Sequence, residues 1–394
     1  MLTVAHLVQP VDGGVARAVA DLVGAQHAAG LRPVVLCPSG GWLAREAAGA
    51  GARVALWLAE RGPTGNLPWE VLCAARALRR IAPDVVHLHG DKAGLAGRLA
   101  LRGRLPTVFQ PHLWSFQTAR GPAGQLAGRW ERRAAAWTDR VLCASDAQRL
   151  AGRRAGVAAP MTLLRPGVDP DRLPAGDQVT RRQSRAALAA VHGLPQRAPL
   201  VVCVGRLTRR HGQDVLLRAW PGVLARVPGA RLALVGDGPE RAALRRAAGP
   251  GVLIAGHSAD TAPWFAAADV VVGPARWGGV GLAPLEALAV GRPVVVSDVG
   301  GAGESLPPGQ AEHALVPPDD PAALAGALAA LLLDPALRGE LGRRAGEHMR
   351  GPGALRHTVA DCARVYREVL ARPGQPARRE VPGPRLTGRV RPRR

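Results

Sequence analysis

The apolar positions of this chain form short continuous runs that alternate with stretches of helical spacing. LTVAHLV leads into GGVARAVADLVGAQHAAG, and RPVVLCP follows. Short apolar runs bounded by turn residues are typical of buried strands, whereas apolar residues at every third or fourth position indicate a helix. This alternation predicts a parallel, doubly wound sheet with helices on both faces.

The same alternation occurs a second time. Strands predicted at RVALWL, DVVHLH, 106–109 and 140–144 precede a stretch rich in Pro, Gly, Asp and Arg, and a new series starts at LVVCVGRL. We therefore expect two α/β domains in tandem. The expected boundaries are an N-terminal domain at 1–173, a linker region at 174–198 with a helix near 181–192, a C-terminal domain at 199–354, a C-terminal helix at 355–370 and a disordered, arginine-rich tail at 371–394.

The basic residues are unevenly distributed. The formal net charge is +22, and the segment from Lys92, the single lysine, to Arg165 holds 13 basic and three acidic residues. Trp114, Trp130 and Trp137 lie within it. Such a segment favours contact with an anionic membrane surface, unless Trp130 and Trp137 pack internally and the arginines form a solvated face. Nucleic acid is not an expected partner, because no zinc-finger, RNA-recognition or basic-zipper pattern is present.

Cysteine usage and the N-terminus bear on the compartment. The five cysteines are scattered and form no C-x-x-C pair, which favours buried thiols in a reducing environment. The N-terminus, MLTVAHLVQP, lacks a charged leader and is predicted as a first strand, and no long apolar run free of charge occurs. We expect a cytoplasmic protein that is at most peripheral on the inner face of the membrane.

Two loops of the first domain contain candidate site residues. Gly13 and Gly14 follow the first strand, where glycines allow a ligand to approach the backbone, although a simple tight turn explains them equally well. The segments HLHGDKAGLAGR and FQPHLWSF place His89, Lys92, His112 and Trp114 at or beyond strand ends, with His112 the strongest functional candidate. His87 lies inside a strand and is expected in the core. No metal site is expected, since no carboxylate or thiol completes the histidine set at a familiar spacing.

Three strand-to-helix turns of the second domain suit phosphate or ribose binding. Arg206 in GRLTRRHG leaves a strand end, where its planar guanidinium fits phosphate oxygens. VGDGPE forms a second glycine-flanked turn. In GGVGLAPLE, Gly281 and Leu282 begin a helix whose dipole favours a phosphate, and Glu286 lies about one turn further in. A solvated helix glutamate is the alternative for Glu286, but its apolar neighbours argue against it.

The order of these motifs resembles the family 4 glycosyltransferases, also described as glycosyl transferases group 1. Collinear segments run from Met1 to about Leu370 and include DGGVARAVADLVGAQHAAGLRPVVL, VGRLTRRHGQDVLLRAW, ARLALVGDGPE and GLAPLEALAVGRPVVVSDVGGAGE. The resemblance implies the GT-B fold, in which two Rossmann-like domains face a cleft and the C-terminal helix crosses back to the first domain.

The resemblance also implies roles for individual residues. His112, Arg206 and Glu286 would form the catalytic set, with Arg206 on the diphosphate, Glu286 on the ribose and His112 near the transferred sugar. Donor-binding residues would be Gly13, Gly14, Arg206, His211, Gly256, His257, Ser258, Gly281, Leu282 and Glu286. His89, Lys92 and Trp114 are acceptor-side candidates. The implied co-substrate is a nucleotide-diphosphate sugar, with no tightly bound cofactor or metal.

Two positions depart from the family's usual pattern. His211 stands where a lysine usually serves as a second phosphate cation, and Arg209 or Arg210 could compensate. Gly278 stands where a glutamate usually contacts the donor sugar, and no acidic residue occurs between Asp269 and Glu286. The expected outcome is altered donor choice or weak activity.

Two functions are therefore weighed. The first is a retaining glycosyltransferase that moves a sugar from a nucleotide donor to a hydroxyl of a polysaccharide, glycolipid, lipid-linked or small-molecule acceptor. The second is a degenerate relative that binds a nucleotide sugar without efficient turnover. An NAD(P) dehydrogenase is disfavoured, because the acidic residue that normally follows a glycine fingerprint is not in place.

Overall fold

Two parallel sheets form the framework of the molecule. The computed structural model describes residues 1–60, 66–119, 121–174, 176–279 and 281–371. The first sheet has seven strands in the order β3-β2-β1-β4-β5-β6-β7. Its strands are β1 (Thr3–Val8), β2 (Arg32–Cys37), β3 (Arg53–Leu56), β4 (Val85–His89), β5 (Thr107–Gln110), β6 (Arg140–Cys143) and β7 (Met161–Leu163).

The second sheet repeats this winding. It has six strands in the order β10-β9-β8-β11-β12-β13. Its strands are β8 (Leu200–Val204), β9 (Arg231–Val235), β10 (Val252–Gly256), β11 (Val270–Gly273), β12 (Val294–Ser297) and β13 (Leu315–Val316). In each sheet the order reverses beside the first strand, and this switch point is where open α/β sheets bind ligands at the carboxyl ends of their strands.

Helices cover both sheets. In the first domain they are α1 (Gly14–Ala28), α2 (Trp42–Gly49), α3 (Leu67–Ile81), α4 (Gly90–Leu101), α5 (Ser115–Thr118), α6 (Gly121–Ala134) and α7 (Asp146–Arg154). After them come α8 (Gln178–His192), α9 (Gln213–Leu224), α10 (Arg241–Ala247), α11 (Ala262–Ala267), α12 (Leu282–Ala289), α13 (Ala311–Ala314), α14 (Pro321–Leu333), α15 (Pro335–Arg350) and α16 (Leu355–Leu370).

The C-terminal helix crosses back to the first domain, as expected. Its apolar face, including Val359, Val365 and Val369, shares one buried cluster with Val4 and Val85 of the first sheet. Where the chain crosses between domains, Leu355 N–H donates to the Val168 carbonyl at 2.8 Å, so the outgoing and returning segments run side by side. The two-domain GT-B architecture predicted from the sequence is confirmed.

The linker region contains a full helix. α8 begins at Gln178, where the Asp177 carboxylate accepts from the Thr180 N–H at 2.7 Å, and it is three residues longer at its start than predicted. It packs against α11 of the second domain. The predicted tail lies outside the described residues, apart from Ala371.

In the described part of the chain, no single helix is long and apolar enough to cross a membrane. The pair α14 and α15, bent by 98°, passes that test only jointly and only by length and composition.

Candidate functional site

Glycine turns from both domains meet between the two sheets. Gly13 caps α1 with a φ of 84°, and a Cβ built on it would lie 3.9 Å from Cδ of Arg206. A Cβ on Gly279 would lie 3.2 Å from the His112 carbonyl oxygen. Because Gly13 and His112 belong to the first domain and Arg206 and Gly279 to the second, these loops form the two walls of one cleft.

Glu286 is buried at the cleft, on α12, and faces an arginine that the sequence analysis did not consider. Arg17 Nε lies 3.4 Å from Glu286 Oε1, and Arg17 also donates to Thr261 Oγ1 at 3.4 Å. Burial raises the pKa of Glu286, while Arg17 opposes that shift. The apolar neighbours that argued against a solvated glutamate do bury it. The contact of Glu286 with a ribose stays a prediction. A ribose bound there would share the Glu286 carboxylate with Arg17.

The candidate phosphate-binding groups lie in the turn after β8 and at the start of α12. Arg206 is exposed in the cleft, whereas Leu207 behind it is fully buried. α12 begins at Leu282 with Gly281 as its N-cap, so that the free N–H groups of its first turn are at the same edge of the sheet as Arg206. This arrangement suits an anion held between a guanidinium and a helix N-terminus.

His211, at the position of the family's usual lysine, is mostly buried beside two arginines. Burial, with Arg210 and Arg206 adding to it, lowers the pKa of His211 to about 4. Its Nδ1 is 2.7 Å from the Thr208 hydroxyl. His211 is therefore neutral at pH 7, and it does not replace the charge of a lysine.

The loop after β10 carries the remaining donor-side candidates. Gly256 ends β10 with a φ of 82°, His257 is exposed, and the Ser258 hydroxyl donates to the Asp260 carbonyl at 2.5 Å. The Asp260 carboxylate also accepts from the N–H of Ala262, the first residue of α11, at 2.9 Å. These bonds fix the loop, and its contact with a nucleotide base remains a prediction.

A continuous hydrogen-bonded chain of side chains connects His112 to the C-terminal helix. His112 Nε2 lies 3.2 Å from His89 Nδ1, and His89 Nε2 lies 3.0 Å from His6 Nδ1. His6 Nε2 lies 2.9 Å from Gln26 Oε1, and the Gln26 amide N–H donates to the Tyr366 hydroxyl at 3.1 Å. Nothing in the sequence pattern joins these five residues, because they lie on four different elements and one loop.

The hydrogen-bonded chain determines which nitrogen of each histidine ring carries the proton. Burial lowers the pKa of His6 and His112 to about 4 and that of His89 well below its ordinary value, so all three are neutral at pH 7. A neutral imidazole has one N–H and one bare nitrogen. Since Gln26 Oε1 can only accept, His6 carries its proton on Nε2 and its Nδ1 is an acceptor. His89 must then donate from Nε2 to His6, and His112 must donate from Nε2 to His89 in the same way. Nδ1 of His112 is then left as an acceptor.

His112 also has an uncommon backbone. Its φ is 54°, in the left-handed region that residues other than glycine rarely adopt. Such a conformation persists only where the surroundings enforce it, and it is often found at functional sites. Here the Leu113 N–H donates to the Pro111 carbonyl at 2.5 Å, so His112 is the central residue of a tight three-residue turn. The observation supports His112 as a functional residue.

The other acceptor-side candidates are placed differently from expectation. Trp114 is fully buried and donates from Nε1 to the Gln148 carbonyl at 2.8 Å, and His89 is buried within the histidine chain. Lys92 pairs with Glu70 at 2.8 Å. These contacts assign Trp114 and His89 to the interior, so neither side chain can reach an acceptor in this conformation.

Three of the histidines also lie close enough together to be considered as ligands of a metal ion. Nitrogens of His6, His87 and His89 lie within 4.8 Å of one another. His87, the expected core residue, is buried and its Nδ1 is 2.8 Å from the Tyr366 hydroxyl. A divalent ion there would replace the His6–His89 hydrogen bond, and in the described part of the chain no carboxylate or thiol joins this set. That the chain binds no metal stays a prediction.

Comparisons with known proteins agree with this geometry. The description Glycosyltransferase Family 4 matches residues 12–172, and Glycosyl transferases group 1 matches residues 198–334. The D-inositol 3-phosphate glycosyltransferase of Saccharomonospora viridis is 32% identical over 316 residues, which span 73% of this chain and 70% of that protein.

A second relative matches over a shorter stretch. The GDP-mannose-dependent alpha-(1-6)-phosphatidylinositol monomannoside mannosyltransferase of Mycolicibacterium smegmatis is 39% identical over 207 residues, or 49% of this chain and 52% of that protein. The alignment thus spans about half of that relative. Among solved structures, Anabaena HepE in complex with UDP and glucose superposes with a TM-score of 0.80 at 20% identity, covering 93% of this chain and all of that one. This likeness shows the fold.

Two facing Rossmann-like domains with a cleft between them are the GT-B architecture, and the family matches make the protein a glycosyltransferase that takes its sugar from a nucleotide donor. Within that class, the chain belongs to glycosyltransferase family 4.

Proposed function

We propose that this protein is a retaining glycosyltransferase that transfers a sugar from a UDP or GDP donor to a hydroxyl of a glycan, glycolipid, lipid-linked or small-molecule acceptor. The observation that carries the proposal is the cleft itself, where Arg206, the N-terminus of α12 and the Gly13 turn surround one space. An anionic diphosphate fits these groups, because a guanidinium and free helix N–H groups both favour negative charge.

The acceptor class follows from the relatives. One is named for an inositol phosphate and another for a phosphatidylinositol mannoside. These names favour a hydroxyl on an inositol-containing or lipid-linked glycan. A protein that uses such an acceptor would work in the cytoplasm, at the inner face of a membrane.

Retention of configuration is supported by the chemistry of the cleft. An inverting enzyme requires a general base near the acceptor hydroxyl. His112 has a pKa of about 4 and is a weak base, and Glu286 is engaged with Arg17. The Gly278–Gly279 turn between His112 and Arg210 carries no side chain.

The test is a donor screen with detection of the released nucleoside diphosphate, followed by NMR of the product. We expect release that depends on an acceptor, and a product whose anomeric configuration equals that of the donor. A product of opposite configuration would contradict retention, and it would leave the transferase assignment intact.

Arg206→Ala is expected to weaken nucleotide binding by about 10- to 100-fold, since it removes a charged partner of the diphosphate. Isothermal titration with the nucleoside diphosphate measures this. Arg226→Ala, a surface arginine on the same domain, is the control. Unchanged affinity of Arg206→Ala would place the nucleotide elsewhere.

The second candidate function is binding of a nucleotide sugar without efficient turnover. It is favoured by Gly278 and by the neutral His211, two positions at which the family's usual charged groups are missing. Clear binding of a nucleotide sugar with no release of nucleoside diphosphate, for any donor and acceptor tried, would decide in favour of this function.

A further inference from the structure

An arginine side chain occupies the space beside Gly278. The φ of Gly278 is 146°, and a Cβ built on it would lie 2.9 Å from Nη2 and 3.1 Å from Nε of Arg210. A side chain at this position would require the Arg210 guanidinium to move. The glycine at 278 and the placement of Arg210 therefore belong to one local arrangement.

Arg210 has little in the protein to balance its charge. In the part of the chain that the structure describes, its side chain makes one hydrogen bond, from Nε to the Trp277 carbonyl at 3.3 Å, and no ion pair. Burial alone lowers the pKa of Arg210. The nearby Arg276 differs, because it binds Asp214 and Asp319. A half-buried cation without a carboxylate is costly, and an anionic ligand would relieve that cost.

The position of Arg210 in the cleft indicates which part of a donor it would meet. Arg206 lies beside Gly13, whereas Arg210 lies beside Gly278, and the adjoining Gly279 approaches the His112 carbonyl. The proposed diphosphate is already served by Arg206 and the start of α12. Arg210 is thus on the His112 side of the cleft, next to the proposed place of the transferred sugar.

We propose that Arg210 binds a carboxylate on the transferred sugar, so that the preferred donor carries a uronic acid rather than a neutral hexose. The planar guanidinium can form two parallel hydrogen bonds to a carboxylate. Gly278 leaves room for that group and brings no negative charge against it. This inference rests on the proposed function, because it requires a nucleotide sugar in this cleft.

The experiment compares matched donors by isothermal titration with the full chain. UDP-glucose is compared with UDP-glucuronate, GDP-mannose with GDP-mannuronate, and UDP and GDP are measured alone. For the nucleotide that binds, we expect the acidic sugar to bind about 10-fold or more tightly than the neutral one, as one charged hydrogen-bonded pair provides.

Variants assign the preference to Arg210. Arg210→Gln is expected to bring the acid-to-neutral affinity ratio close to one and to change the affinity of the bare nucleoside diphosphate by less than about twofold. Arg210→Lys should retain part of the preference, because it keeps the charge but not the planar fork. Arg246→Gln, which removes one charge from an exposed position on α10, should leave the ratio unchanged.

Three results would overturn the inference. Equal affinity of the wild type for acidic and neutral sugars would show that Arg210 does not select the sugar. An equal loss of UDP or GDP affinity in Arg210→Gln would make Arg210 a ligand of the diphosphate. Failure of every nucleotide and nucleotide sugar to bind would instead overturn the proposed function, and this inference with it.

Discussion

His112 is positioned by a series of buried side chains that do not line the cleft. Its Nε2 is bonded to His89, and the orientation of the whole chain follows from the single amide of Gln26. If that amide turned over, its N–H would point at His6, and every proton along the chain would move to the other ring nitrogen. The Tyr366 hydroxyl accepts from the same amide while its own proton faces His87 Nδ1, 2.8 Å away, and it therefore acts as a positioning group for His112 through Gln26.

Replacing Tyr366 tests this role. Tyr366→Phe removes the hydroxyl but keeps the ring, so Gln26 loses the hydrogen bond that fixes its orientation. One neutral hydrogen bond contributes about 1 kcal/mol, which corresponds to roughly a fivefold shift between the two tautomers. We expect nitrogen-15 NMR of labelled histidines to show His112 protonated on Nε2 in the wild type and a mixture of tautomers in the variant.

Val369→Ala is the control for Tyr366→Phe. It lies on the same helix and in the same buried cluster but has no polar group. It should lower stability without changing the His112 spectrum. A wild-type-like spectrum of Tyr366→Phe would contradict the positioning role, whatever happens to activity.

The buried histidines also predict how stability responds to acid. Burial lowers the pKa of His6 from 6.5 to about 4, so between these values the unfolded chain binds a proton that the folded chain does not. Stability is then fully present above pH 6.5 and is lost as the pH falls towards 4. A fully buried group with this shift contributes about 3 kcal/mol at most.

Urea unfolding at several pH values measures this dependence. The free energy of unfolding should fall steeply between pH 6.5 and 4, and the slope should be smaller in His6→Gln. His357→Gln, on the returning helix, serves as the control. A pH-independent free energy over this interval would contradict the buried, neutral state of these rings.

At the scale of elements, the start of α7 makes several hydrogen bonds between the domains. The Glu304 carboxylate accepts from the N–H groups of Asp146 at 2.6 Å and Ala147 at 2.9 Å, and the Ser145 hydroxyl donates to the Gly300 carbonyl at 2.9 Å. A carboxylate at a helix N-terminus is stabilised by the free N–H groups there. Glu304 therefore holds the second domain against the first.

Glu304→Gln should weaken this contact with little change in shape. The loss of charge at a helix N-terminus is about 0.3–1 kcal/mol, so the closed arrangement becomes roughly two- to fivefold less populated. We expect a corresponding rise in the KM for the donor and a larger radius of gyration in solution scattering without ligand. Glu312→Gln, at an exposed site of the same domain, should change neither quantity. Unaltered KM and radius in Glu304→Gln would show that domain closure does not depend on it.

Elements differ in how well the sequence predicts them. The C-terminal helix was predicted at 355–370 and has these bounds in the structure, because its apolar residues recur at clear helical spacing. α4 was not predicted, since two of its inward positions are glycines. A Cβ on Gly94 would lie 2.4 Å from Phe109, and one on Gly97 would lie 2.3 Å from Leu88, so the helix packs too closely on the sheet for larger residues.

Short edge strands were missed for a different reason. β7 has three residues and β13 has two, too few for any pattern to appear, and only their place beside β6 and β12 makes them strands. The candidate site shows the same limit. Glycine turns and Arg206 are local signals, whereas Arg17 opposite Glu286 and Arg210 beside Gly278 depend on residues distant in sequence that only the fold brings together.

At the scale of the whole molecule, the charge of +22 bears on where the protein works. In the basic segment, the Trp130 and Trp137 rings pack against each other with centroids 6.1 Å apart, and both are half-buried. Leu126 on α6 is 66% exposed instead, next to the exposed Arg129, Arg132 and Arg133. An apolar side chain flanked by arginines is typical of helices that lie in the headgroup region of a membrane.

We therefore expect the protein to bind anionic vesicles through α6. Each arginine near such a surface contributes about 1 kcal/mol, and salt screens the attraction beyond about 10 Å at 0.1 M.

Co-sedimentation with vesicles of phosphatidylglycerol and phosphatidylcholine should show binding that weakens as salt rises, and pure phosphatidylcholine vesicles should bind little. Exchanging Arg129, Arg132 and Arg133 for glutamine should weaken binding at least about 10-fold. The same exchange at Arg182 of the linker helix and at Arg245 and Arg246 of the second domain should have a smaller effect. Removal of residues 372–394, which hold eight arginines, separates the contribution of the tail. Equal binding to neutral and anionic vesicles, or an equal effect of the two triple exchanges, would show that α6 is not a membrane-binding surface.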